Sequence, residues 1–195
     1  MSKHDRPRNW LTVFYSVVLA IFAIVLVFAF ATQGDEPAAQ NNGDTLGQET
    51  GETFTEYEAR AEQSLSAAPA TEAAFGLVTF AEPLDADEAA EALSDIERIS
   101  AITLGPIAPH DVPEPVDGED RSDVFSRELE RLGLPEEISG VVVYDTGESL
   151  RKLARDPAVA TVEVLPPDAA WGTFGARSVE VPSGSSAASG VAWAW

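Results

Sequence analysis

Cysteine is absent from this chain and histidine nearly so: there are no Cys and two His. Without Cys there is no disulfide, no thiolate metal site and no cysteine nucleophile. His4 sits in the N-terminal tail, so a His-rich metal site is excluded beyond it. The common nucleophile–base pairs reduce to His110, beside Asp111, with Ser100, Ser122 and Ser139 as candidate hydroxyls. None of these serines sits in a G-x-S-x-G elbow. Basic residues are also scarce, 12 against 33 acidic ones, for a formal charge of -21. Such a surface repels nucleic acid and anionic lipid. It suits cationic partners, counter-ions or plain solubility. An exported domain without disulfides is more at home in a bacterium than in a eukaryotic secretory pathway.

Charge is missing altogether from Leu11 to Ala31, LTVFYSVVLAIFAIVLVFAFA. At about 1.5 Å per helical residue this run spans a hydrocarbon core of about 30 Å. It predicts a single transmembrane helix rather than a buried helix, which rarely runs so far without a polar face. Lys3, Arg6 and Arg8 precede the run, and no Lys or Arg follows until Arg60. Positive charge stays inside, so the N-terminus is expected in the cytoplasm and the remainder outside the cell membrane. Ala29 and Ala31 also form an A-x-A pattern, which leaves a cleaved signal peptide as the alternative. The run is longer than the usual apolar region of a signal peptide, favouring the uncleaved anchor.

Composition divides the chain into five stretches. Residues 1–10 read as a cytoplasmic tail, 11–31 as the membrane helix and 32–73 as an acidic extracytoplasmic spacer, with a short helix possible over Phe54 to Leu65. Residues 74–182 read as an α+β domain, and 183–195 as a flexible tail with an aromatic terminus. Within the domain, strands are expected at Phe75–Phe80, Ile99–Leu104, Gly140–Tyr144 and Val159–Leu165. Glu82-Pro83 is expected to stop the first strand. Asp85 and Glu88 form a capping box for a helix reaching about Ile96, with Ala89, Leu93 and Ile96 inward. Pro106, Pro109, Pro113 and Pro115 predict a long stiffened loop. Ser122 is the expected cap of a helix over Asp123–Leu132, with Phe125, Leu129 and Leu132 as its stripe and Gly133 at its end. The consecutive valines of GVVVY predict a central strand buried on both faces. A helix over Gly147–Arg155 and a last extended segment over Arg177–Val181 complete the series.

Strand, helix, strand occurs twice, before and after the inserted Ser122–Gly133 helix. Two such units predict a ferredoxin-like split βαβ sheet with its helices on one face.

The stretch Gly140 to Asp168, GVVVYDTGESLRKLARDPAVATVEVLPPD, resembles the second half of the inhibitor-like propeptide domain of subtilisin-type proteases. Leu150, Leu153, Asp156, Pro157, Val159, Val162 and Glu163 carry the resemblance. It implies the same fold. It also implies a protease-regulating role, since in that family a C-terminal extension of the domain lies in the protease cleft. The corresponding stretch here is Leu165 to Trp171.

No catalytic set, metal site or cofactor is expected. Asp85, Asp87, Glu88 and Glu91 crowd a helix start, where the helix dipole favours acids. Glu114, Asp117, Glu119 and Asp120 lack the spacing of a calcium loop. WGTFG, Trp171 to Gly175, lacks the Lys of a phosphate loop. The candidate binding residues are aromatic: Trp171, Phe174, Trp193 and Trp195, which either cover the chain's own core or meet a partner. The expected function is a non-enzymatic, single-pass membrane protein whose outer domain binds another membrane or extracytoplasmic protein. The alternatives are a protease regulator or a small carboxylate-dependent enzyme.

Overall fold

In the computed structural model the described residues are Tyr15, 44–134 and 137–182. The chain divides into two units, Met1–Gln40 and Asn41–Trp195. Of the first, Tyr15 alone is described, as helical and exposed, so the expected membrane helix lies otherwise outside the described residues. No helix among the described residues is long and apolar enough to cross a membrane.

The second unit is an α+β domain. Its strands are β1 (Thr45–Leu46), β2 (Ala73–Leu84), β3 (Arg98–Leu104), β4 (Ile107–Asp111), β5 (Ile138–Thr146), β6 (Val159–Val164) and β7 (Gly175–Ala176). Its helices are α1 (Phe54–Ala67), α2 (Ala86–Ala92), α3 (Arg121–Leu132) and α4 (Gly147–Leu153). Five strands form one antiparallel sheet in the order β4-β3-β5-β2-β6, and β1 pairs with β7 in a parallel ladder of its own. Each strand–helix–strand unit is therefore split: β5 lies between β2 and β3, and β2 lies between β5 and β6.

Alternation along the strands builds two cores. Val78, Ile102, Val141, Val143 and Val162 face Ala89 and Leu93 of the α2 region, Phe125 and Leu129 of α3, and Leu150 of α4. Leu77, Ala101 and Val142 face the opposite way, beneath Leu46 and Ala169. Val141, Val142 and Val143 are 0, 1 and 0 % exposed, so the central strand is buried on both faces as its composition demands. Removing each such side chain from water contributes about 1.5–3 kcal/mol.

Local chemistry sets the helix starts. Asp85 and Glu88 form the expected capping box, but α2 ends at Ala92, short of Ile96. The cap of α3 is Asp120, not Ser122: its side chain accepts from the Asp123 N–H at 3.0 Å, and Asp123 reaches back to the Asp120 N–H. Ser122 instead donates to Asp120 Oδ1 at 2.9 Å. Leu132 is exposed, and Val124 and Glu128 take buried places on α3 with Phe125 and Leu129. Gly133 closes α3 at φ 65°, the left-handed region that favours glycine.

Several expectations need correction. Residues 44–73 are not a spacer. Leu46 and Tyr57 are completely buried, and α1 lies against β6, where Ser64 Oγ accepts the Val164 N–H at 2.9 Å. A few apolar residues suffice because the sheet supplies the surface they cover. Pro83 does not end β2, which bulges after Thr79 and pairs again at Leu84 with Ile138. The proline-rich stretch is not all loop: Gly105, at φ 56°, turns the chain into β4, which pairs with β3. Pro109 is tolerated because β4 is an edge strand, where one side needs no ladder donor. Helix α4 stops at Leu153 rather than Arg155. Beyond β6 the regular segment is Gly175–Ala176, and Arg177–Val181 is no strand.

Candidate protein-binding site

Phe75 and Tyr144 are directly opposed in the β2–β5 ladder, with ring centroids 4.7 Å apart. The chain leaving β6 returns across them. The Leu165 N–H donates to the Phe75 carbonyl at 2.8 Å, and the Ala169 N–H to the Pro166 carbonyl at 3.0 Å, so Pro166-Pro167 opens a turn. A second tight turn, with Gly172 at φ 81°, sets Trp171 and Phe174 over Phe75 at 5.6 and 5.1 Å. Trp171 and Phe174 meet edge to face at 5.7 Å. These offset and edge contacts are the geometries that aromatic quadrupoles favour, each worth about 0.5–1.5 kcal/mol beyond area burial.

The stack grades from inside to outside. Phe75 is buried, Phe174 is half-buried and Trp171 is 39 % exposed. The indole N–H of Trp171 has no hydrogen-bond partner among the described residues. A large apolar ring is thus held rigidly at the surface with a free donor, which suits a contact with another protein. The structure brings together the expected pair Trp171 and Phe174. It adds Phe75 and Tyr144, which strand alternation placed in the sheet but not under the loop. Trp193 and Trp195 lie outside the described residues.

Beside this stack is a charged clamp. Arg60 of α1 donates Nε and Nη2 to Glu52 at 3.0 and 2.9 Å, Nη2 to the Gly47 carbonyl at 2.9 Å, and Nη1 to Glu163 Oε1. The Gly47 N–H donates to Glu163 Oε2 at 2.6 Å. Glu163 is 4 % exposed. Its burial pushes the carboxyl above the usual range, against the opposing pull of the Gly47 N–H and Arg60. Tyr57, under Arg60 at 5.3 Å, is pushed up chiefly by burial and then by the Glu163 charge. Both Glu163 oxygens are bonded within the fold, so the clamp binds two parts of the chain to each other. Arg60 is the first basic residue after the acidic run, and Glu163 breaks a run of β-formers. Those were the signals available, but their pairing depends on the folded-back α1.

His110 is on edge strand β4. Its Nε2 lies 3.2 Å from Glu128 Oε2 and 2.7 Å from Arg131 Nη2, and Arg131 Nε donates to Glu128 Oε2 at 2.8 Å. Burial pushes the Glu128 carboxyl up, and the bonds from Arg131 and His110 outweigh it, leaving its pKa lowered. No serine among the described residues hydrogen-bonds to this set. Ser139 donates to the Thr103 carbonyl, Ser122 to Asp120, and the Ser100 hydroxyl is buried without a partner. The acidic residues of the expected crowds are dispersed: Asp85, Glu88 and Asp120 cap helices, Glu114 lies 3.9 Å from Arg98, and Glu119 pairs with Arg127. No group of three or more His, Asp or Glu among the described residues can hold a metal ion. No family model matches this chain, and neither a curated protein nor a solved structure matches it.

Proposed function

We propose that this chain is a non-enzymatic, single-pass membrane protein whose extracytoplasmic domain is ferredoxin-like and binds another protein. The observation that carries the binding role is Trp171, 39 % exposed on a stack whose base is buried. The ferredoxin-like reading is supported by the split units, by the order β3-β5-β2-β6 within the sheet, and by α2 and α4 contributing to one core cluster. The inserted helix is α3, and β4 is an addition. The membrane anchor is supported by the uncharged run Leu11–Ala31 and by the basic residues before it. The non-enzymatic reading is supported by the His110 Nε2 lying against Glu128 and Arg131, with no hydrogen bond to a hydroxyl among the described residues.

Protease regulation is the second reading, favoured by α4 and β6 falling where the propeptide resemblance puts a helix and a strand. Against it, Leu165 and Ala169 are buried in this domain, so the stretch matching the family's cleft-binding extension turns back on itself.

A photo-reactive residue at position 171, in native membranes, tests the binding role by linking the domain to its partner. Trp171→Ala should weaken that partner's capture about tenfold or more, as loss of a true anchor costs at least about 2 kcal/mol. His110→Ala should change nothing. Undiminished capture by Trp171→Ala removes the stack from the interface, and lost function in a folded His110→Ala variant restores the enzyme reading. Deleting residues 191–195 tests Trp193 and Trp195 separately. A co-captured protease would promote the second reading.

A further inference from the structure

At the far end of β2 from Phe75 lies a groove of about 680 Å³. Its origin is the β2 bulge. Thr79 faces Gly140 on β5, yet the next pair is Leu84 with Ile138, so the intervening residues leave β5. Phe80 and Ala81 stay on the β6 side, where Phe80 faces Val159 and the Ala81 N–H donates to the Ala158 carbonyl at 2.8 Å. One wall is thus Pro83 on the bulge. Pro106 of the β3–β4 turn also lines it, held by the bond from the Gly105 N–H to Ser139 Oγ at 2.9 Å. Val179 and Val181 of the C-terminal segment line the groove as well, and this segment is pinned where the Glu180 N–H meets Gln48 Oε1 at 3.0 Å.

The rim carries Glu82, Glu137 and Glu180, all exposed, and no basic residue lines the groove. None of the three carboxylates has a cation or donor among the described residues. Several of the domain's own cations are committed elsewhere: Arg60 and Arg131 to buried carboxylates, Arg121 and Arg151 to helix-end carbonyls. Arg177 lines the adjoining depression, on the other side of Ser178.

We propose that this groove is a second docking site and that its occupant is a basic segment of a partner protein, with Lys or Arg alternating with aliphatic residues. An extended segment presents successive side chains to opposite sides. Its aliphatic residues cover Val179 and Val181. Its Lys or Arg stems lie along the proline walls and carry their charges to the three carboxylates. A single exposed pair contributes little, whereas three like charges around one apolar concavity focus the field on the same occupant.

The test uses the full chain in neutral-lipid nanodiscs and a fluorescent peptide of alternating Lys and Leu, read by anisotropy. The triple variant Glu82→Gln, Glu137→Gln, Glu180→Gln should lower its affinity about tenfold or more. The control triple Glu58→Gln, Glu62→Gln, Glu91→Gln changes the net charge equally at exposed positions elsewhere and should cost less than about twofold. A Glu-Leu peptide should not bind, and Trp171→Ala should bind the Lys-Leu peptide normally, so this proposal and the aromatic site fail separately. Equal losses in the two triple variants would reduce the effect to general attraction by an acidic protein and overturn the proposal. So would an unaffected groove variant. A tenfold gain on deleting residues 183–195 would assign the groove to this chain's own segment, and overturn it equally.

Discussion

Replacing Arg60 by Ala should damage the domain far more than replacing Glu163 by Gln, although the two side chains share one ion pair. Arg60 leaves water only in part, with 34 % of its side chain exposed, and it keeps Glu52 when Glu163 is neutralised. Glu163 has no such reserve. Without Arg60 its buried charge retains one donor, the Gly47 N–H. Removing one partner of a buried pair costs about 3–5 kcal/mol, because it leaves the other charge uncompensated. The residual donor and the exposed rim place Arg60→Ala near the lower bound, about 3 kcal/mol. Glu163→Gln removes the charge that burial disfavours and leaves one of two donors poorly served, about 1 kcal/mol. Adding Glu163→Gln to Arg60→Ala should therefore recover stability rather than lose more.

The pH dependence should differ in size between the two proteins. In the native chain Arg60 holds Glu52 below the usual carboxylate range, and the Asp123 N–H does so for Asp120. A lowered native pKa contributes stability that is complete above the unfolded value, about 4, and is lost as pH falls through the native value. Glu163 is raised already, and loss of Arg60 raises it further. A raised native pKa favours the protonated fold, so both proteins should gain stability on acidification from about pH 7 toward 4.5, and Arg60→Ala should gain more. Urea unfolding across that range reads both effects. Equal costs for the two single variants, or no recovery of Arg60→Ala in acid, would refute the reasoning.

Gly47→Ala should destabilise the domain by about 2 kcal/mol or more: φ is 93°, and a Cβ would run into the Arg177 carbonyl. Thermal unfolding measures this, and an unshifted Tm would show that β1 is not held to Arg177. Asp120→Ala should lower the urea midpoint more than Ser122→Ala does, reversing the order that sequence reading predicts; the two midpoints decide between them.

Elements whose cause is local were legible in the sequence. Asp85 and Glu88 sit at the capping-box spacing, and three adjacent valines have few uses outside a doubly buried strand. Gly133 needs the left-handed backbone that ends a helix. The errors cluster where the cause is distant. Residues 44–73 look polar because their carboxylates are counted as solvated, whereas Arg60 ties Glu52 to a buried carboxylate on β6. Pro109 reads as a loop residue until the strand around it is known to lie at an edge. Ser122 reads as a good cap by residue type, but Asp120 has Asp123 three residues on to close the capping box, whereas Ser122 has Phe125. At the aromatic site, Trp171 and Phe174 were recognisable as exceptional residues. Their seat on Phe75 was not, because it depends on a turn after Pro166 that alternation does not encode.

The clamp and the aromatic stack are joined by the backbone between them, which bears on why a buried charge stays in a domain this small. Glu163 binds the Gly47 N–H through one oxygen and Arg60 through the other, while Arg60 also takes the Gly47 carbonyl. Gly47 follows β1, and β1 holds the segment just after the stack: the Gly175 N–H donates to the Asp44 carbonyl at 3.0 Å, and the Arg177 N–H to the Leu46 carbonyl at 2.9 Å. Phe174 and Trp171 therefore approach Phe75 from a segment whose far end is anchored, through Leu46 and Gly47, to a charge on β6. A hydrophobic residue at position 163 could cover the same face, and buried ion pairs are often replaced that way without loss of stability. It would not hold both polar groups of Gly47. The clamp's contribution is thus directional rather than a gain in stability: it fixes where β1 lies, and β1 fixes the segment that presents Trp171.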